Sequence, residues 1–258
     1  MTAPAAPPAP AAPAAPAVPP PAAPAPGLAL RPGHLKVCGA RTRADLALLA
    51  DTGPTLVGLW HGIPGGPADL TTDDLADLAA TAIRLGLEPV LVTFLDDADH
   101  LARLARATGI RWIQLHAYQS PALVADLRER LPYAVLVKVL HLARGRCLER
   151  AFTPAFERAG CDLFLLDTVT DDGRIGSTGQ SLDPHHIHAL LPRLNTPFLL
   201  AGGLDTTNRD TYRTVTDHPL YAGADIDTAA RDRTGRLTRD AVTALTRAWH
   251  PRLQEATA

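Results

Sequence analysis

Eight short apolar or β-branched runs recur along this chain, and most of the stretches between them carry helical spacing. The runs are HLKVC (34–38), TLVGLW (55–60), EPVLVTF (88–94), IRWIQLH (110–116), YAVLVKV (133–139), CDLFLLD (161–167), TPFLLAG (196–202) and the less apolar YAGADID (221–227). Strands that alternate with helices build a parallel sheet, because each helix carries the chain back to the edge it left. Eight such units, about 20–40 residues apart, match one closed (β/α)8 TIM barrel of the α/β class. The competing topology is an open doubly wound sheet, which often carries G-x-G-x-x-G after its first strand. Here Cys38-Gly39-Ala40-Arg41 stand at that place.

The helical spacing is concrete. Leu75, Leu78, Ala79 and Ala82 share one face, as do Leu101, Leu104 and Ala105. Helix starts are signalled by Ser120-Pro121 and Asp183-Pro184, each a capping residue before a proline at the first helical position. Thr71-Thr72-Asp73-Asp74 puts a cap and carboxylates at the positive end of another helix.

Residues 1–27 differ in kind. They carry no side-chain charge and hold 11 of the chain's 24 prolines. Proline at that density blocks a continuous helix and favours extended states. The expectation is a disordered Ala/Pro-rich extension, dispensable or a docking tail, ahead of one catalytic barrel domain over 28–258. It has neither the basic start nor the Leu/Val-rich stretch of a secretory signal.

Composition excludes several partners. A formal charge of −2 gives no basic excess for nucleic acid. No apolar run approaches the roughly 20 residues a bilayer requires. Three scattered cysteines, Cys38, Cys147 and Cys161, make neither a disulfide framework nor a zinc cluster, and imply a reducing cytoplasm. Asp183-Pro184-His185-His186-Ile187-His188 resembles a metal motif, but helical geometry does not turn three imidazoles so spaced toward one ion. Neither metal nor cofactor is expected.

In a barrel of this kind the active site lies at the C-terminal ends of the strands. That rule selects Lys36 and Cys38 on the first run, Gln114 and His116 on the fourth, Lys138 on the fifth, Asp167 on the sixth, Gly202-Gly203 after the seventh, and Asp225 and Asp227 on the eighth. Cys38 reads either as a base or nucleophile tuned by Lys36 or as an inert buried thiol. Asp167, after Phe164-Leu165-Leu166, reads as a desolvated acid, or else as a cap or ion-pair partner. Gly202-Gly203 offers backbone amides to a phosphate, or makes an ordinary tight turn. The loop Asp171–Gly179 reads as a lid or a plain surface loop.

Taken in order, these segments resemble phosphoribosylanthranilate isomerase of tryptophan biosynthesis over roughly residues 34–248. Lys36-Val37-Cys38-Gly39 is similar to the family's Lys-Ile-Cys-Gly start, whose cysteine is the general base. Gln114-Leu115-His116 resembles its Gln-Leu-His-Gly strand, with Ala117 for the glycine. Leu165-Leu166-Asp167-Thr168 resembles the strand that carries the general acid. Gly176-Ser177-Thr178-Gly179 and Leu200-Ala201-Gly202-Gly203-Leu204 resemble its glycine loop and phosphate-binding turn. The resemblance implies a cofactor-free Amadori rearrangement of an N-linked aldosylamine to an aminoketose. Cys38 would be the base, Asp167 the acid, and Gly176, Gly202 and Gly203 the phosphate contacts.

Three departures qualify that picture. The family's Ser-Pro-Arg turn, whose arginine contacts the anthranilate, is replaced by Trp60-His61-Gly62-Ile63-Pro64-Gly65-Gly66-Pro67. Its Asp-Val-Ser-Ser-Gly-Val-Glu is replaced by Asp225-Ile226-Asp227-Thr228-Ala229-Ala230-Arg231, which puts a carboxylate where a serine helps hold phosphate. Ala40 replaces a common leucine. Trp60 and His61 then read as a new wall for the aglycone, or Trp60 as packing between barrel and helices, and Arg41 or Arg231 as a substitute cation. The expectation is an isomerase of this type acting on a modified sugar-amine, phosphorylated or not, in specialised metabolism. The alternatives are the tryptophan-pathway enzyme itself, a related lyase or cyclase, and a non-catalytic binding protein on a decayed barrel. The sequence leaves the oligomeric state open.

Overall fold

A computed structural model describes residues 33–170 and 181–250 of the chain. The Ala/Pro-rich extension and the glycine loop with Gly176 lie outside the described residues. Strands β1 (His34–Cys38), β2 (Leu56–Trp60), β3 (Glu88–Thr93), β4 (Trp112–Leu115) and β5 (Val135–Ala143) are followed by a two-residue strand, β6 (Arg146–Cys147). Then come β7 (Leu163–Thr168), β8 (Phe198–Leu200) and β9 (Tyr221–Ile226). All but β6 run parallel. They close as a ring in which β1 pairs with both β2 and β9, and β5 with both β4 and β7. The eight expected runs are thus the eight strands of a closed (β/α)8 barrel.

Among the described residues, eight α-helices return the chain: α1 (Arg43–Thr52), α2 (Thr72–Arg84), α3 (Ala98–Thr108), α4 (Pro121–Arg130), α5 (Thr153–Arg158), α6 (Pro184–Leu190), α7 (Arg213–Thr216) and α8 (Arg239–Trp249). The capping signals act as expected. The side chains of Thr71, Ser120 and Asp183 each accept a hydrogen bond from a backbone N–H in the first turn of α2, α4 and α6. The apolar stripes of α2 and α3 are buried against the strands. Truncating one of their leucines, such as Leu75, to alanine costs about 2–5 kcal/mol.

The period of two along each strand divides the core into two layers. One set of side chains, including Val90, Val92, Val135, Val137, Val139, Leu163 and Leu165, fills the barrel. The alternate set packs outward against the helices. This alternation corrects one expectation. Lys138 lies between Val137 and Val139, so it points out of the barrel. Its ammonium donates to the carbonyls of Ala117 and Val139 at 2.7 Å each and lies 5.6 Å from the centre of the Phe156 ring. Burial pushes it down to about 8. On β9 the pairing with β8 is irregular between Phe198 and Leu199. After that irregularity Ala224 and Ile226 pack outward, while Asp225 and Asp227 line the interior cleft.

Candidate active site

The C-terminal ends of the strands surround a cleft open to solvent. Cys38, Trp60, His116, Asp167, Gly202, Gly203, Asp225 and Asp227 line it. These come from β1, β2, β4, β7, the turn after β8, and β9 with the turn after it.

The Cys38 side stands on a fully buried lysine. Lys36, two residues earlier on the same face, places Nζ 3.1 Å from the Cys38 sulfur and 2.8 Å from Asp225 Oδ2. Strand register fixes that contact, since Lys36 is the direct partner of Asp225 across the β1–β9 seam. Burial alone would lower the lysine, but Asp225 and Cys38 outweigh it, so Lys36 is held above its ordinary value; burial pushes the Asp225 carboxyl up, and Lys36 opposes that rise. Burial pushes the Cys38 thiol up to about 12; Lys36 and a Trp60 hydrogen bond oppose this, while Asp225 and Asp227 reinforce it. Room for the sulfur comes from Gly58 on β2, where an added Cβ would stand 2.6 Å from Sγ.

Opposite, Asp167 is buried at the end of β7, and Oδ1 accepts from the backbone N–H of Thr168 at 2.8 Å. Burial raises it to about 6, with Asp225 adding to the rise and the Thr168 N–H holding it back. His116 Nε2 lies 3.6 Å from Asp167 Oδ2. On the other side of that ring, Gln114 Nε2 lies 2.8 Å from Nδ1. With the Gln114 amide as donor, Nδ1 accepts and the proton sits on Nε2. Burial holds His116 well below the usual histidine range, so the ring is neutral. His116 Nε2, Gln114 Oε1 and Asp225 Oδ1 have no hydrogen-bond partner among the described residues. Of these three residues, His116 and Asp225 line the cleft.

At the far end, Gly202 has φ 81°, and a Cβ there would stand 2.2 Å from Thr168 Oγ1. The turn therefore needs glycine, as a backbone approaching a ligand closely does. Asp227 lines the same end. Its carboxylate is engaged by Arg231 Nε at 2.7 Å. The Arg231 guanidinium also donates to the carbonyls of Cys38, Gly39 and Gly235.

Four expected substrate contacts lie elsewhere: His61, Arg231, Arg41 and Lys138. His61 turns away, with Nδ1 2.8 Å from the Leu70 carbonyl oxygen, because it alternates with the inward-facing Trp60. Arg231 is absorbed by Asp227 and three carbonyls, and Arg41 reaches the carbonyls of Pro67 and Gly235 at the rim. No lysine or arginine is among the described lining residues. Lys138 faces the helices. His185, His186 and His188 are all exposed on α6.

Sequence reasoning missed a second buried pair. β5 runs four residues past its expected end, so His141 follows Val135, Val137 and Val139 on the inner face. Its Nδ1 lies 2.6 Å from Glu149 Oε1, its backbone N–H donates to Glu149 Oε2 at 2.8 Å, and Nε2 faces the His116 carbonyl at 3.2 Å. Burial pushes Glu149 up, but the bonds from His141 outweigh it and hold the carboxyl below the usual range. Continuation of the alternate pattern to residue 141 was the available signal.

Comparison with known proteins agrees with the barrel. The family model described as N-(5'-phosphoribosyl)anthranilate (PRA) isomerase matches residues 35–228. N-(5'-phosphoribosyl)anthranilate isomerase 2 of Methanosarcina mazei is 30% identical over 204 residues, covering 78% of this chain and 87% of that protein. The N-(5'-phosphoribosyl)anthranilate isomerase of Haloferax volcanii is 30% identical over 214 residues, covering 82% and 90%. Among solved structures, the Thermotoga maritima phosphoribosyl anthranilate isomerase superposes with a TM-score of 0.67 at 19% identity, covering 84% of this chain and 98% of the other. A phosphoribosyl anthranilate isomerase in complex with reduced 1-(o-carboxyphenylamino)-1-deoxyribulose 5-phosphate gives 0.66 at 18%, covering 84% and 97%. At those identities the structural matches speak for the barrel alone.

Proposed function

The chain belongs to the N-(5'-phosphoribosyl)anthranilate isomerase family, and from that premise we propose that it rearranges phosphoribosylanthranilate itself, with Cys38 as base and Asp167 as acid. The observation that carries the reading is the placement of both groups on one cleft, on strands separated round the ring by β9 and β8. The expectation of a modified substrate in specialised metabolism draws no support from the relatives, all named for the phosphoribosylanthranilate reaction. The tryptophan-pathway alternative is the better reading.

The chemistry follows from the two environments. Asp167 gives its proton to the ring oxygen as the C1–O bond breaks; the bonding pair goes to oxygen, and the nitrogen lone pair forms C1=N. Cys38, ionised, takes the proton from C2. The C–H pair becomes C1=C2 and nitrogen recovers its lone pair. Movement of a proton from the C2 hydroxyl to C1 then gives the aminoketose, with mass unchanged. A carboxylic acid raised to about 6 is near its working pH. Lys36 stabilises the thiolate from beneath, and the neutral His116 presents Nε2–H between Asp167 and the sugar. Gly202 and Gly203 hold the phosphate with backbone amides. A cytoplasmic location accords with three free cysteines.

A second reading keeps the reaction and changes the ligand. Asp227 at the phosphate end, and the lack of a described lysine or arginine on the cleft wall, favour an aldosylamine without phosphate. The test is kcat/KM on phosphoribosylanthranilate against its dephosphorylated form. The main reading expects the phosphorylated compound to be preferred by a hundredfold or more, about 3 kcal/mol of binding. Equal or reversed preference favours the second.

A further inference from the structure

The barrel interior holds one polar contact that the acid–base scheme does not use. Trp60, at the end of β2, turns its indole into the cleft and donates from Nε1 to the Cys38 sulfur at 3.1 Å. It is Nε1's hydrogen bond among the described residues, and the side chain is 8% exposed. The strand end that carries the donor is tied into the sheet. Trp60 pairs with Val92 on β3, and its carbonyl accepts from Leu70 N–H at 2.9 Å.

We propose that Trp60 is a further catalytic residue, whose indole N–H holds and stabilises the Cys38 thiolate during proton abstraction. The inference rests on Cys38 being the base, and it adds a donor that the family motif does not include. The sulfur needs one. Lys36 approaches it from β1, but that ammonium is shared with Asp225. Asp225 and Asp227 face it from the β9 side and disfavour its charge. Asp167 from β7 and His116 from β4 complete the ionisable groups on the described cleft wall, apart from Asp205 at the glycine turn. Against those carboxylates, Trp60 is the one neutral side-chain donor that touches the sulfur among the described residues. A neutral N–H stabilises a thiolate without adding a charge that would bind the neighbouring carboxylates instead. Hydrogen bonds to ionised groups are the strong ones, and this one is expected to lower the thiol by about one pH unit, a tenfold change in thiolate fraction or about 1.4 kcal/mol.

The test needs no substrate, so it is independent of whether phosphoribosylanthranilate is the ligand. Iodoacetamide alkylation of Cys38 is followed by mass spectrometry between pH 7 and 9 in wild type, Trp60→Phe and Trp60→Leu, with far-UV circular dichroism as the control for folding. A thiol about one pH unit higher has a tenfold smaller thiolate fraction, partly offset by higher nucleophilicity. Both variants are then expected to react about three- to fourfold more slowly. A tryptophan that only fills space predicts the reverse order, because both truncations open the approach to sulfur, leucine more than phenylalanine. Alkylation unchanged or faster in the folded variants overturns the proposal. A check that leaves Trp60 intact uses the tryptophan indole ¹H–¹⁵N resonances. One of them should move upfield in Cys38→Ala, and no movement contradicts the hydrogen bond. If both hold while phosphoribosylanthranilate is not turned over, the substrate assignment fails and the role of Trp60 stands.

Discussion

Arg231 donates to the carbonyl oxygen of Cys38 at 2.7 Å, tying the residue proposed as base to the turn that follows the last strand. The same guanidinium holds Asp227, with side chains 15% and 17% exposed. The pair is thus mostly desolvated, and breaking it leaves a half-buried carboxylate. Arg231→Met is expected to cost about 2–4 kcal/mol in urea denaturation. Adding Asp227→Ser should recover part of that loss, because the half-buried charge that the guanidinium neutralised goes too. A double variant no more stable than the single one would contradict this account of the seam.

The pH dependence of turnover follows from Asp167 and Cys38 taken as a pair. Burial raises the first to about 6 and the second to about 12. The reactive form carries one proton in total, on Asp167, with Cys38 ionised. Below about pH 6 the free site holds two protons. As pH rises the second leaves and the one-proton form grows, so kcat/KM should climb about tenfold per pH unit and level off above about 6. Correction for the substrate phosphate's own titration is needed, by ³¹P shift. A profile flat from pH 4.5 to 7 would exclude this assignment.

The raised Asp167 also costs stability. Its folded value near 6 lies above the ordinary carboxyl value of 3.8. The folded chain therefore binds the proton more tightly, and stability from this group is lost as pH rises from about 4 to 6. Asp167→Asn escapes that loss while retaining an oxygen for Thr168 N–H. The variant should be nearly inactive yet more stable at pH 7 by up to about 3 kcal/mol, with the gain vanishing below about pH 4. Thermal melts at pH 4 and pH 7 give the answer, and equal differences at both would refute it.

Gly58 is the close neighbour that lets Lys36, Cys38 and Trp60 meet. A Cβ there would also lie 3.1 Å from Lys36 Nζ. Gly58→Ala should lower stability by about 1–3 kcal/mol through overpacking and depress kcat more than KM. A variant with unchanged kcat would show that the cluster yields without displacing the sulfur.

Much of this site is legible in the sequence because a barrel converts strand order into position. Once Cys38 and Asp167 stand at strand ends, their common cleft follows from the fold. The period of two gave Lys36 below Cys38 and Gln114 below His116, and the same rule, applied to the end, would have turned Lys138 outward. What stayed hidden depends on contacts between distant residues. Arg231 lies only four residues from Asp227, but its removal from the substrate side was unreadable because the same guanidinium is held by carbonyls on two separate segments, Cys38–Gly39 and Gly235. His141 was hidden because β5 outruns the apolar run that announced it. Gly58 and the Trp60 hydrogen bond belong to a neighbouring strand, whose register with β1 sequence spacing does not specify.

The most direct measurement is turnover of phosphoribosylanthranilate by the wild-type chain, Cys38→Ser and Asp167→Asn, followed by loss of substrate and by product mass. The wild type is expected to form an aminoketose of unchanged mass, and each folded variant to be slower by about a hundredfold or more. Absence of turnover by the wild type, or near-wild-type rates in both variants, would contradict the account.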